Sequence, residues 1–200
     1  FRSKIKKFII DSIHGRNISI SDNMDKLKPI INICHPLFPN ANINPNTNTL
    51  QLSGNINNQG NFIIDANRVF IEVQDPKNTK ILYKLYMDVV NIMTDKFGID
   101  SFNRIGIRHF IGREIEDENL INSLIIKKFM KPNVIEYGEN LNNMHIGFST
   151  TYNKYKINHN FARLATQNIN MNSGKVQTKT NNFLLYDIDF YKDSPKIGRA

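Results

Sequence analysis

The stretch RIGIRHFIGREI, Arg104 to Ile115, sets two arginines four residues apart inside a run that is otherwise apolar and strand-like. Side chains alternate across a strand, so Arg104, Gly106 and Arg108 share one face while Ile105, Ile107 and His109 share the other. A sheet that takes in this run must supply partners for two guanidiniums, because a buried charge without one is strongly destabilising. The closing run FLLYDIDFY offers them. There the same alternation places Leu185, Asp187, Asp189 and Tyr191 on one face.

Three arrangements of these four charges are open. In the expected one the two strands are neighbours, and Arg104/Arg108 and Asp187/Asp189 neutralise one another, the planar guanidinium gripping a carboxylate with two donors. In the second, Arg104 and Arg108 stay available on a concave sheet and bind an anion, with Gly106 admitting a phosphate or carboxylate close to the backbone. In the third, Asp187 and Asp189 are oxygen ligands for Mg²⁺ in a hydrolase, joined by Glu114 or Glu116. The D-x-D pattern is weak alone, since no G-x-S-x-G, P-loop or G-x-G-x-x-G pattern accompanies it. The five histidines, His14, His35, His109, His145 and His159, show none of the spacings of a zinc site. No cofactor is expected outside the Mg²⁺ arrangement.

Periodicity organises the rest. IKKFIIDSI (5–13) reads as a strand, NISIS alternates like one, and KLKPIINICHPLF ends in a Pro-punctuated turn. Residues 39–61 are rich in Asn and broken by Pro and Gly, which predicts a mobile loop with one short strand over Thr49–Ser53. NFIID and NRVFIEV suit a hairpin. A helix follows from Asn78 or Thr79 to Gly98, with Ile81, Leu85, Val89, Ile92 and Met93 as its apolar stripe. A second runs from Glu118 to Met130, capped by Asp117 and stopped before Pro132, with Ile121, Leu124, Ile125 and Phe129 inward. The last third reads as an antiparallel meander with a turn at Ser173-Gly174. This order predicts one α+β domain over 1–200, a mostly antiparallel sheet with about two helices on one face.

Charge and cysteine usage bound the partners. A net charge of +8 permits contact with nucleic acid or another polyanion. The excess is diluted by a bias toward Asn, Ile and Lys of the kind an AT-rich genome produces, and the clusters Lys4/Lys6/Lys7, Lys127/Lys128/Lys131 and Lys154/Lys156 read first as solvated faces. The single Cys34 excludes an internal disulfide and suits a reducing cytoplasm; next to His35 on a strand it would point away from it, which favours a buried structural thiol. No apolar run is long enough for a membrane helix, and FRSKIKKFII lacks a signal-peptide cleavage site, so no membrane partner is expected.

The residues from Asn67 to Gly112, with RIGIRHFIG supplying Arg104, Ile105, Gly106, Ile107 and Arg108, and the late LLYDIDFY, resemble an uncharacterised, sporadically distributed family of bacterial proteins. That family's pattern is a strand, an amphipathic helix, a strand near R-I-G-L-R-Y-I-N and a late L-x-D-I-D-like strand; His109, Phe110 and Gly112 depart from it. The resemblance implies the α+β fold and the Arg/Asp pairing, no established activity, and a mobile or defence-related locus in bacteria or phage. The expected function is a non-enzymatic cytoplasmic binding protein with a protein partner. A metal-dependent hydrolase of nucleic acid or nucleotide, and a polyanion or nucleic-acid binder, are the alternatives.

Overall fold

The computed structural model describes residues 5–54, 59–99, 101–115, 117–129, 145–172 and 175–193. Its elements in chain order are β1 (Ile5–Ile13), α1 (Met24–Cys34), β2 (Asn40–Asn44), β3 (Thr49–Ser53), β4 (Gly60–Ile64), β5 (Arg68–Gln74), α2 (Thr79–Phe97), β6 (Arg104–Glu114), α3 (Glu118–Phe129), β7 (His145–Tyr152), β8 (Tyr155–Asn172) and β9 (Lys175–Asp193). The nine strands make one antiparallel sheet in the order β2-β3-β4-β5-β1-β6-β9-β8-β7, so the fold is α+β. Contacts gather into two compact units. The larger takes the described parts of 7–109, 151–156 and 189–193; the smaller takes those of 1–6, 110–150 and 157–188.

In the larger unit, alternation sorts each strand into an apolar and a polar side. Phe8 and Ile10 of β1, Leu50 and Leu52 of β3, Phe62 and Ile64 of β4, and Val69, Ile71 and Val73 of β5 are buried with residues of α1 and α2 in one core. Antiparallel register sets Ile10 opposite Ile71 and Phe62 opposite Ile71, which keeps these apolar sets on one face. Asn78 caps α2 by accepting from the amides of Lys80 and Ile81, and Gly98 ends it in the left-handed conformation at φ 64°.

The buried stripe of α2 is Leu82, Leu85, Tyr86, Val89, Val90, Met93 and Phe97, one residue round from the expected one. Leu85, Val89 and Met93 belong to both; Ile81 is 51% exposed and Ile92 only half-buried. A stripe spans more than 100° of the helix, and Ile81 sits 100° from Leu82, just past its edge. Replacing Ile81 with Ala should therefore change stability by no more than about 0.5 kcal/mol in urea denaturation. A loss near that of a core leucine would put Ile81 back in the core.

Three expectations are corrected. KLKPIINIC is a helix, α1, although Pro29 lies inside it; Leu27, Ile30 and Cys34 are spaced to bury one stripe, and that burial outweighs the hydrogen bond Pro29 cannot donate. The described residues thus hold three α-helices where about two were expected. NISIS is not a strand: Ile18 and Ile20 are buried from an irregular segment, with the Asn48 side chain donating to Ile18 O and accepting from Ile20 N, each at 2.7 Å. Residues 39–61 hold β2 and the start of β4 besides the expected β3. The asparagines build the β2–β3 connection, since Asn44 Oδ1 accepts from the amides of Asn46 and Thr47 and Asn48 takes φ 50°. β2 is exposed at all five positions, so it has no apolar alternation to read.

In the smaller unit α3 buries Ile121 and Ile125 with Ile115, while Leu124, Ile146 and Leu184 pack against them. Asp117 caps the helix through Asn119 N at 2.9 Å. Leu124 is half-buried and Phe129 is 44% exposed, so the inward stripe is narrower than expected. Met130, Pro132 and the Ser173-Gly174 turn lie outside the described residues.

Candidate charged site

The side of the larger unit away from α1 and α2 carries the charges. β1 puts Lys7 and Asp11 there, β5 puts Arg68, Phe70 and Glu72 there, and β6 puts Arg104, Gly106 and Arg108 there. Lys7 Nζ lies 2.8 Å from Glu72 Oε1. Arg68 reaches diagonally across the β1–β5 pair to donate to Asp11 Oδ2 at 3.1 Å. Arg104 donates to the same oxygen at 3.5 Å and, through its other terminal nitrogen, to Asp189 Oδ2 at 2.7 Å. The order Arg68–Asp11–Arg104–Asp189 therefore alternates in sign and sums to zero.

Burial falls unevenly along this chain of charges. The side chains of Asp11 and Asp189 are 9% and 13% exposed, those of Arg104 and Arg68 28% and 39%. The guanidiniums also lie over rings: Arg68 4.4 Å above the Phe70 centroid and Arg104 4.8 Å from that of Tyr191. At the rim Lys156 pairs with Asp193 at 2.7 Å.

Gly106 has a specific steric reason. A Cβ there would lie 3.2 Å from Tyr191 Cβ, 3.3 Å from Phe190 O and 3.3 Å from Asp11 Oδ1. The carboxylate that approaches this glycine is the protein's own Asp11.

Arg104 and Asp189 are thus brought together as the alternation of their strands requires, and the second carboxylate on Arg104 is Asp11. Arg108 is half-buried on β6 and has interactions of its own. Asp187 is buried in the smaller unit, where it accepts from Asn160 Nδ2 at 3.3 Å. Glu114 is half-buried at the end of β6, and Glu116 lies outside the described residues. Among the described residues no three His, Cys, Asp or Glu side chains gather closely enough to hold a metal ion.

Sequence reasoning missed Asp11 and Arg68. The signal was present: Asp11 interrupts the apolar run FIIDSI as Arg104 and Arg108 interrupt theirs. Cys34 is fully buried at the end of α1 and burial pushes its thiol up to about 12, so it is an inert side chain; its neighbour His35 is exposed. His109 is half-buried edge-on to Phe8, with ring centroids 4.8 Å apart. His159 is held by Tyr186 OH at Nδ1, 2.8 Å, and by Thr150 Oγ1 at Nε2, 3.1 Å. Of the lysine clusters, Lys7 and Lys156 are ion-paired and Lys127, Lys128 and Lys154 are exposed, while Lys4 and Lys131 lie outside the described residues.

No family model, no curated protein and no solved structure matches this chain. No helix among the described residues is long and apolar enough to cross a membrane.

Proposed function

We propose that this chain is a non-enzymatic binding protein of a reducing, cytoplasmic compartment, and that its Arg/Asp cluster is framework. The observation that carries this reading is that Arg68, Asp11, Arg104 and Asp189 are engaged with one another. An arginine that serves substrate anions keeps its fork open, and a carboxylate that serves Mg²⁺ keeps its oxygens clear of competing cations. Here Asp189 Oδ2 and Asp11 Oδ2 already accept from guanidiniums. The buried, unpaired Cys34 suits the reducing compartment. The likeness to the sporadic bacterial family supports the same reading through the shared R-I-G-x-R strand, and would place the gene in a mobile or defence-related locus.

A screen of nucleotide and phosphodiester substrates with Mg²⁺ or Mn²⁺ tests it. No turnover above the metal blank is expected. Sustained turnover that disappears in a folded Asp189→Asn variant would establish the hydrolase instead.

A further inference from the structure

The smaller unit displays a row of rings that its core does not consume. On β7, β8 and β9, Phe148, His159, Phe161 and Tyr186 stand on neighbouring strands with nearly parallel planes. Phe148 stacks on His159 at 4.7 Å and 15°, and Phe161 on Tyr186 at 4.5 Å and 11°. His159 and Tyr186 are also parallel, at 11°, and the hydrogen bonds to His159 fix the row's orientation. Phe148 is 43% exposed. Phe129, at the end of α3, packs on Phe161 and Phe148 with centroids 5.0 and 6.4 Å away, which brings the last turn of the helix, with exposed Lys127 and Lys128, to the margin of the row.

The surroundings are one-sided in charge. Among the smaller unit's described side chains on the ring-bearing side of β7, β8 and β9, alternation places the cation Arg163 and no Asp or Glu. Asp187, next along β9, is buried and on the strand's other face from Tyr186. Beside the rings on this side stand Thr150, hydrogen-bonded to His159, and Arg163, which donates to Asn182. An interface for an apolar protein partner has no use for such a balance, whereas bases with π-faces on a polyanionic backbone match both halves of it.

We propose that the ring-bearing face of β7, β8 and β9 binds single-stranded nucleic acid, with bases continuing the stack from Phe148 and with Lys127, Lys128 and Arg163 meeting the phosphates. This rests on the binding-protein reading and names its partner. Ring stacking is indifferent to base identity, so the face selects single strands over duplex and does not read sequence.

The test uses the full chain and fluorescein-labelled oligonucleotides of about 12 residues, a length within the span of such platforms: oligo(dT), oligo(U) and a duplex, titrated by anisotropy. Single strands are expected to bind with affinity that falls as salt rises, about 0.7 in the log–log slope for each phosphate neutralised, and duplex more weakly. Phe148→Ala should weaken single-strand binding roughly 5- to 150-fold, the range for loss of one stacking ring, and Phe148→Trp should retain it. Lys127→Glu with Lys128→Glu, on an exposed helix surface, should flatten the salt dependence without disturbing the circular dichroism. Failure of folded protein to bind any single strand overturns the inference and returns the face to a protein partner. So does binding that Phe148→Ala leaves unchanged, or a duplex bound equally well. Cleavage of the bound oligonucleotide would remove the non-catalytic reading while leaving the binding face standing.

Discussion

Replacing Asp11 with Ala should cost about 3–5 kcal/mol of folding free energy, read from the urea midpoint at constant slope. The carboxylate is 9% exposed and is shared by two guanidiniums, so its removal leaves two cations short of one anion. The loss falls mainly on Arg104. Arg68 is 39% exposed and can turn its fork into solvent, where an ion pair is worth no more than about 1 kcal/mol. Arg104 is held between β1 and β9 by Asp11 and Asp189 and lies over Tyr191. A double-mutant cycle of Asp11→Ala with Arg104→Ala should give a coupling of about 0.5–3 kcal/mol, whereas Asp11→Ala with Lys28→Ala, an exposed site engaged with Asp25, should be additive. A loss under about 1 kcal/mol for Asp11→Ala would mean that the cluster behaves as a solvated surface pair, and the framework reading would fall with it.

The part of this cluster that was legible in the sequence is the part that depends on alternation alone. Arg104 and Asp189 each interrupt an apolar strand, and a buried charge needs a partner, so their meeting followed from period two once the strands were neighbours. Neighbourhood itself was not legible. β1 lies between β5 and β6 in the sheet, nearly a hundred residues before β6 in the chain, and nothing local records that pairing. Asp11 was therefore missed although FIIDSI advertises it as plainly as RIGIR advertises its arginines. Asp187 shares the face of β9 that carries Asp189, accepts from Asn160 and makes further interactions.

The elements divide along the same line. α2 announced itself by a cap, a glycine stop and nineteen residues of period, and its ends fall where Asn78 and Gly98 put them. α1 did not, because Pro29 and three isoleucines argue against a helix locally while the buried Leu27, Ile30 and Cys34 argue for one through contacts the sequence does not display. β2 failed for the opposite reason: an edge strand exposed at all five positions has no pattern beyond its turn residues. The ring row escaped notice because Phe148, His159, Phe161 and Tyr186 come from three strands, and two of their contacts span more than twenty residues of chain.

Acidification should destabilise the fold from about pH 6.5 downward, before the carboxylate range is reached. Burial holds the pKa of His14 below the ordinary imidazole value and does the same to His109. His14 is 1% exposed, its ring edge-on to Phe102 at 6.2 Å, and the Arg16 backbone and the charge of Asp65 offset only part of its desolvation. A histidine whose folded pKa is lowered is neutral in the fold and protonated more readily in the unfolded chain. Its stabilising contribution is complete above the unfolded pKa and drains away as pH falls from there toward the folded value. Each such proton is worth up to about 1.4 kcal/mol per pH unit, so the two histidines steepen the loss of stability as pH falls below the ordinary imidazole value. Urea midpoints taken in steps between neutral pH and pH 5 read it directly. His14→Leu removes a buried imidazole whose desolvation is only partly offset, so the variant should remain folded at neutral pH and should lose stability with a shallower slope on acidification. Stability that stays flat down to pH 5 would mean that His14 takes up its proton inside the fold, which requires an acceptor or water within reach of Nδ1 or Nε2.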